Sequence, residues 1–368
     1  MNSPEKAELY VGIMSGTSLD GIDTALLDFS GSPPRLVATH YQPYADALKK
    51  TLLALHEPAH GELHLAQVTA NDLSHEYAAA THALLHKAGA SPAQIVAIGC
   101  HGQTIRHRPE AGYTTQLCNA ALLAELCNIT VVSDFRSRDI AAGGQGAPLV
   151  PAFHNMMLRH ADTHRVIVNI GGISNLTNLA PGMPTSGFDC GPGNLLMDAW
   201  INLHLGQPYD KEGSWANSGA VNYALLKTLL EEPFFHAPPP KSCGRDLFNP
   251  HWLERQLQGN EKAADVQATL LALTVQSIGS AIKDYCAGAQ EIYLCGGGAH
   301  NTALLDRLRT QLPACSIQLT DQLGIEADWM EAIAFAWLAR QALHGLTASL
   351  PEVTGAQHPS ILGAIYQA

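Results

Sequence analysis

The chain has 368 residues, enough for about two domains, and 46% of them are hydrophobic, so each half can bury a core. Its 21 Lys and Arg against 33 Asp and Glu give a formal net charge of -12, which argues against a nucleic-acid partner. An anionic small ligand stays admissible, because backbone N–H groups and a few Arg hold phosphate or carboxylate locally. No apolar stretch approaches the ~20 residues that span a bilayer, and Met1–Glu8 lacks the apolar core of a signal peptide. The eight Cys form no CxxC pair or compact framework, which fits reduced thiols and a cytoplasmic protein. The 18 His show no metal-ligand spacing.

Residues 9–29 read as a hairpin, with Arg35–Gln42 as a third strand. Ala45–Leu55 and Gly61–Ala90 read as helices. In the second, Leu65, Val68, Leu73, Tyr77, Ala80 and Leu84 recur at helical spacing and predict one buried face. Ile95–Cys100 is a short strand ending at His101-Gly-Gln-Thr104. Asn119–Cys127 is a helix and Ile129–Ser133 a strand ending at Asp134-Phe-Arg136. This alternation predicts an α/β fold. Asp139–Ala147 holds three Gly and reads as a flexible crossing, which puts a lobe boundary near 134–150.

A second hairpin follows at 166–179. Asn194–Leu205 and Trp215–Leu230 read as helices, Phe234–Pro250 as a loop, and Val266–Cys286 as a long helix. Glu291–Cys295 is a strand feeding Gly296-Gly-Gly-Ala-His-Asn301, with a helix over Thr302–Leu312. Asp328 with Glu331 is a capping-box pattern opening a helix through Leu343.

Both hairpins turn on Gly with Ser, Thr, Asn or Asp. The first, Ser15-Gly-Thr-Ser-Leu-Asp-Gly21, is far longer than the two residues that close a hairpin, and it suits a phosphate cradle. Gly16, Thr17, Ser18, Leu19, Asp20, Gly21, Ile22 and Asp23 are its candidate phosphate-binding residues, with Asp20 the candidate for a Mg²⁺ held through water. The second, Asn169-Ile-Gly-Gly-Ile-Ser-Asn175, offers Asn169, Gly171 and Gly172. Gly296, Gly297 and Gly298 suit an adenine or ribose ring lying flat on bare backbone. His101, Gln103, Thr104, Asp134 and Arg136, at strand ends, are candidates for sugar hydroxyls or an acid group. Asp189, in Gly187-Phe-Asp-Cys-Gly-Pro-Gly-Asn194, is a candidate general base, and Asn194 a candidate substrate ligand. Two such turns suggest two lobes closing on one nucleotide.

Together these segments resemble the superfamily of acetate and sugar kinases, Hsp70-type chaperones and actin, a two-lobed fold with a ligand cleft. More narrowly the chain is similar to the anhydro-N-acetylmuramic acid kinases. The resemblance rests on Gly12–Asp23, Gly99–Thr104, Asp134–Arg136, Gly143–Pro151, Asn169–Thr177, Gly187–Asn194 and Leu294–Gly298. Cys190 and Gly193 stand where other members carry Thr and Ala.

The resemblance implies a first lobe of residues 1–133 with 358–368, binding sugar and phosphate, and an ATP-binding, catalytic second lobe of 134–357. It implies ATP and Mg²⁺ as cofactors and a small amino sugar as substrate, and it leaves a homodimer open. The implied reaction opens 1,6-anhydro-N-acetylmuramic acid, recovered from peptidoglycan, with water and phosphorylates O6. Asp189 then serves as the base for water, with Glu326 a second carboxylate near it. The competing readings are an ordinary sugar or carboxylate kinase, with Asp189 deprotonating a hydroxyl, and a nucleotide-switched chaperone-like module.

Overall fold

The computed structural model describes residues 7–16, 19–31, 33–245 and 247–368. Among them are twelve strands: β1 (Leu9–Ser15), β2 (Gly21–Asp28), β3 (Arg35–Pro43), β4 (Ile95–Arg108), β5 (Tyr113–Leu117), β6 (Val131–Ser133), β7 (Arg165–Ile170), β8 (Ile173–Leu179), β9 (Ser186–Pro192), β10 (Glu291–Cys295), β11 (Ser316–Leu319) and β12 (Ala364–Tyr366). The chain divides into two compact units, one reaching Phe153 and including Trp329–Ala368, the other His154–Asp328.

Each unit is built on one sheet, and the two sheets share a plan. In the first, β3-β2-β1 is an antiparallel meander, and β4 then β6 continue from β1 in parallel. In the second, β9-β8-β7 is the meander, and β10 then β11 continue in parallel. The first sheet adds β12 antiparallel to β6, and β5 against the far end of β4. The repeat that the two hairpins signalled is therefore a repeat of whole sheets.

Every residue of β1 is buried, as expected for a central strand covered on both faces. The helix Glu62–Ala88 buries Leu73, Tyr77, Ala80 and Leu84, but Leu65 and Val68 at its start are exposed. The helix Met330–Leu343 lies against β1 and β4 so closely that glycine is required below it. A Cβ on Gly12 would sit 1.8 Å from the Ala332 carbonyl oxygen, and one on Gly99 would sit 2.0 Å from that of Phe335.

That helix carries the C-terminal forty residues into the first unit. The cuts accordingly fall after 153 and 328, whereas the resemblance implied 133 and 357. The segment after β6 is not a loose crossing. Ser137–Ala141 is helical, and buried Asp139 accepts from Gly146 N–H at 2.8 Å and from Thr354 Oγ1 at 2.8 Å.

In the second unit the expected helix Trp215–Leu230 is two, Ser214–Ser218 and Tyr223–Leu230. The break falls at Gly219, whose Cβ would lie 2.1 Å from the carbonyl oxygen of Ala264 at the start of the helix Ala263–Tyr285. No helix among the described residues is long and apolar enough to cross a membrane.

Candidate active site

In the first unit the turn between β1 and β2 is the longer of the two glycine turns. Thr17 and Ser18 lie outside the described residues. Leu19 is buried with a left-handed φ of 61°, and its N–H bonds to the Gly16 carbonyl at 3.3 Å. Asp20 is exposed, and its carbonyl accepts from Tyr44 N–H. Gly21, Ile22 and Asp23 open β2.

The floor of the turn is polar and fixed. Ser15 Oγ donates to the Gly102 carbonyl at 3.2 Å and lies 2.9 Å from the Tyr77 hydroxyl, which then donates to it. Burial pushes the Tyr77 phenol well above its ordinary value and that of Tyr44 beside it up to about 12, so both stay protonated. Fully buried Gln103 reaches the Gly16 carbonyl through Nε2 at 3.1 Å.

The expected strand end at His101 is absent. β4 runs on to Arg108, because the chain changes partner from β1 to β5 around Gly102, which takes a φ of 77°. His101, Gln103 and Thr104 are thus held inside a strand, with Thr104 Oγ1 accepting from Gln116. His101 Nε2 accepts from Arg136 Nε at 3.0 Å and Nη2 at 2.9 Å, while Nη1 donates to the Gly146 carbonyl at 2.7 Å. Burial first, and the Arg136 charge second, push the imidazole well below its ordinary value, so it is the neutral acceptor that the guanidinium needs. Exposed Asp134 takes a left-handed φ of 57° and accepts from Ser137 Oγ at 2.6 Å.

In the second unit the turn is tight: Gly171 and Gly172 alone join β7 to β8. Their carbonyls accept from the backbone N–H groups of Asn194 (2.8 Å) and Gly193 (2.9 Å), and Asn194 Nδ2 points to the Ile170 carbonyl at 3.4 Å. Asn194 therefore joins this turn to the helix Leu195–Leu205. A Cβ on Gly171 would make only ordinary contact, the nearest atom being the Ile173 carbonyl oxygen at 3.6 Å.

The glycine run after β10 abuts the same corner. A Cβ on Gly296 would lie 2.3 Å from Asn169 Oδ1, and one on Gly298 would lie 2.3 Å from Ile170 Cγ2, whereas Gly297 faces open space. The Ala327 carbonyl accepts from Gly296 N–H at 2.9 Å, which sets exposed Glu326 beside this run. Asp328 does not cap the helix Met330–Leu343. The N-cap is Trp329 without a side-chain cap bond, and Asp328 pairs with His300 at 2.8 Å.

Asp189 lies within β9, not in an elbow beyond it. The register opposes Asn169 to Asn175 and Asn175 to Asp189, so three half-buried polar side chains cross three strands on one face. Two strand spacings, on the order of 10 Å, separate Asp189 from Asn169. Asp189 Oδ2 accepts from Cys243 N–H at 2.9 Å, and its own N–H donates to the Lys241 carbonyl at 3.1 Å. Asn175, Lys241, Tyr44 and Tyr77 were not among the candidate site residues. Asn175 carried a signal as the last residue of the second glycine motif, and Tyr77 was read only as part of a buried helix face.

The described residues contain no group of three or more His, Cys, Asp or Glu able to hold a metal by themselves. A Mg²⁺ bound mostly by phosphate oxygens and water needs only one or two carboxylates, and exposed Asp20 fits that demand.

Comparison with known proteins agrees along the whole chain. The family model described as anhydro-N-acetylmuramic acid kinase matches residues 8–368. An anhydro-N-acetylmuramic acid kinase of Nitrosospira multiformis is 58% identical over 365 residues, covering 99% of this chain and 100% of the relative. One of Nitrosomonas europaea is 58% identical over 361 residues, covering 98% and 99%. Among solved structures, the activator of the 2-hydroxyisocaproyl-CoA dehydratase from Clostridium difficile with bound ADPNP covers 93% of this chain and 99% of its own, at 13% identity and TM-score 0.48. So distant a likeness adds nothing to the strand order. On the full-length match, the chain belongs to the anhydro-N-acetylmuramic acid kinase family and is an enzyme that phosphorylates an amino sugar.

Proposed function

We propose that the chain uses ATP and water to convert 1,6-anhydro-N-acetylmuramic acid to N-acetylmuramic acid 6-phosphate and ADP, in the cytoplasm, as a step of cell-wall recycling. Membership of the family along its full length is the observation that carries this reading.

The chemistry assigns the roles. In the anhydro sugar O6 is bridged to the anomeric carbon and has no proton to lose. Water therefore attacks that carbon, the bond from it to O6 breaks, and O6 takes the γ-phosphoryl group as the bond to ADP breaks. The proton leaves the attacking water, so the base serves water and not a sugar hydroxyl. Asp189 is that base: a half-buried carboxylate in β9, oriented through Oδ2 and on one sheet face with Asn169. Glu326, beside Gly296, is a second carboxylate for the same water.

Gly16–Asp23 and Asn169, Gly171 and Gly172 hold the phosphates of ATP, and Gly296–Gly298 its nucleoside. Asp20 would hold a Mg²⁺, which would supply charge to the phosphoryl oxygens. Arg136, with Nε and Nη2 on neutral His101, takes the lactyl carboxylate of the sugar, and Gln103, Thr104, Asp134 and Asn194 are the candidates for its polar groups.

Product mass tests the reading. In H₂¹⁸O the early product should contain one added water, with the heavy oxygen at the anomeric carbon. A phosphorylated product with the anhydro ring intact would mark an ordinary kinase, and ATP hydrolysis without a sugar product would mark a nucleotide switch.

A further inference from the structure

The described residues of the segment 233–252 form a packed substructure rather than a plain surface loop. Phe248 and Trp252 are buried, and Phe234 and Phe235 each set a ring against Phe248, at 5.7 and 5.5 Å between centroids. Phe235 Cε1 also lies 2.6 Å from where a Cβ on Gly191 would stand, and Gly191 holds a φ of 139° that favours glycine. This substructure therefore sits against β9 two residues beyond Asp189.

β9 is the edge strand of its sheet, so the N–H of Asp189 needs a partner from outside the sheet. The Lys241 carbonyl supplies it, and two residues later Cys243 N–H holds the Asp189 carboxylate. The Lys241 side chain ties residues 241–243 back to the segment that precedes them. Its ammonium donates to the carbonyls of Phe234 at 3.1 Å and Phe235 at 3.3 Å, and lies 4.7 Å from the Phe234 ring centroid and 5.9 Å from that of Phe188. Phe188 precedes Asp189 on β9, so one cation ties together the strand that carries the carboxylate and the loop that orients it.

The geometry points to Lys241 as the positioning residue of the base: its ammonium anchors the 241–243 segment, whose backbone sets the direction of the Asp189 carboxylate. The inference rests on the reading of Asp189 as base. The hydrogen bond from Asp189 N–H pins the strand and the one to Oδ2 sets the carboxylate's rotation, and a small misplacement of a base is costly. A 1 Å error is worth on the order of 100-fold in rate.

The test compares steady-state kinetics of Lys241→Met, Lys241→Arg and Asp189→Asn with the parent enzyme. Lys241→Met keeps the apolar stem and removes the cation. It should lower kcat about 10–100-fold while leaving KM for ATP and sugar within about twofold. Lys241→Arg keeps a donor for both carbonyls and should recover most of the loss. A role confined to packing predicts a lower melting temperature with kcat intact. Unchanged kcat in Lys241→Met, with Asp189→Asn inactive, overturns the inference and leaves the base assignment standing. Normal turnover by Asp189→Asn overturns both. Should Lys241→Met not fold, as judged by calorimetric ATP binding, Lys241→Gln keeps a donor without the charge and decides the question by the same comparison.

Discussion

The two sheets share a strand order but end their first hairpins differently. In the first unit residues 16–20 separate β1 from β2, and hydroxyls and an amide gather where β1 ends: Ser15, Tyr77 and Gln103, the last on the Gly16 carbonyl. In the second, Gly171 and Gly172 alone make the turn, braced by the backbone N–H groups of Gly193 and Asn194. A long turn exposes side chains and needs a scaffold below it. A short glycine turn exposes backbone and needs its carbonyls occupied from behind. The same plan thus yields one turn suited to a metal-bearing phosphate and one suited to bare phosphate oxygens.

The largest effect expected is on the scaffold of the first sheet. Gly12→Ala forces a Cβ within 1.8 Å of the Ala332 carbonyl oxygen, backbone that cannot swing aside. It should destabilise the first unit by about 3 kcal/mol, the upper end of overpacking penalties, as read by denaturant unfolding. A stability within experimental error of the parent would mean that the helix Met330–Leu343 does not lie where the structure has it.

Arg136 comes next. Removing it should cost on the order of 1.5–3 kcal/mol in affinity for the carboxylate-bearing sugar, the range for a charged hydrogen bond, and much less for an anhydro-glucosamine analogue. Equal losses for the two sugars would leave Arg136 as a brace between His101 and Gly146, a role that its three hydrogen bonds to these residues already serve.

Gly171→Val sharpens the contrast between the turns. Gly171 does not use the left-handed region, and a Cβ there meets only the Ile173 carbonyl oxygen, at an ordinary 3.6 Å, so the fold should keep its melting temperature. The ATP dissociation constant should rise about tenfold, some 1.4 kcal/mol, because a side chain now stands where phosphate approaches. Unchanged affinity would leave the second turn a purely structural feature.

The last effect is shared by the two units and gradual with pH. Burial holds an imidazole neutral in each: His101 in the first, and in the second His154, which burial pushes down to about 3 and which lies 2.9 Å from Thr177 Oγ1. Unfolded, each takes up a proton near its ordinary value of 6.5, while the folded protein resists it. The unfolded state then binds more protons, so stability falls as pH drops below that value, by at most about 1.4 kcal/mol per pH unit for each group. For His154 the loss continues down to about pH 3. Unfolding free energies that stay flat from pH 7 to 5 would contradict the burial of both.

Much of this was legible in the sequence where the signal is local. The two hairpins, the helix capped by Asn119 and the long helix Ala263–Tyr285 stand close to where apolar period and turn chemistry put them. Misreadings occurred where a distant partner decides. The capping pattern at Asp328 and Glu331 failed because His300, 28 residues upstream, takes the carboxylate. The continuous helix expected over Trp215–Leu230 failed because the backbone of Ala264 presses on Gly219. The short strands β5, mostly polar, and β11, half polar, gained their form from the neighbours they pair with. The candidate residues were found one motif at a time. That Asn169, Asn175 and Asp189 form a row depends on register, and that Lys241 supports Asp189 depends on a contact across more than fifty residues, and neither leaves a trace in local composition.

The central claim is that the Asp189 carboxylate takes the proton from water. Asp189→Asn keeps the shape and still allows Cys243 N–H to donate to the side-chain oxygen, so ATP and anhydro sugar should bind calorimetrically as they do to the parent. Its kcat for the phosphorylated, ring-opened product should fall about 10²–10⁴-fold, the usual loss of a general base. Turnover near the parent rate by a variant that binds both substrates would contradict the account.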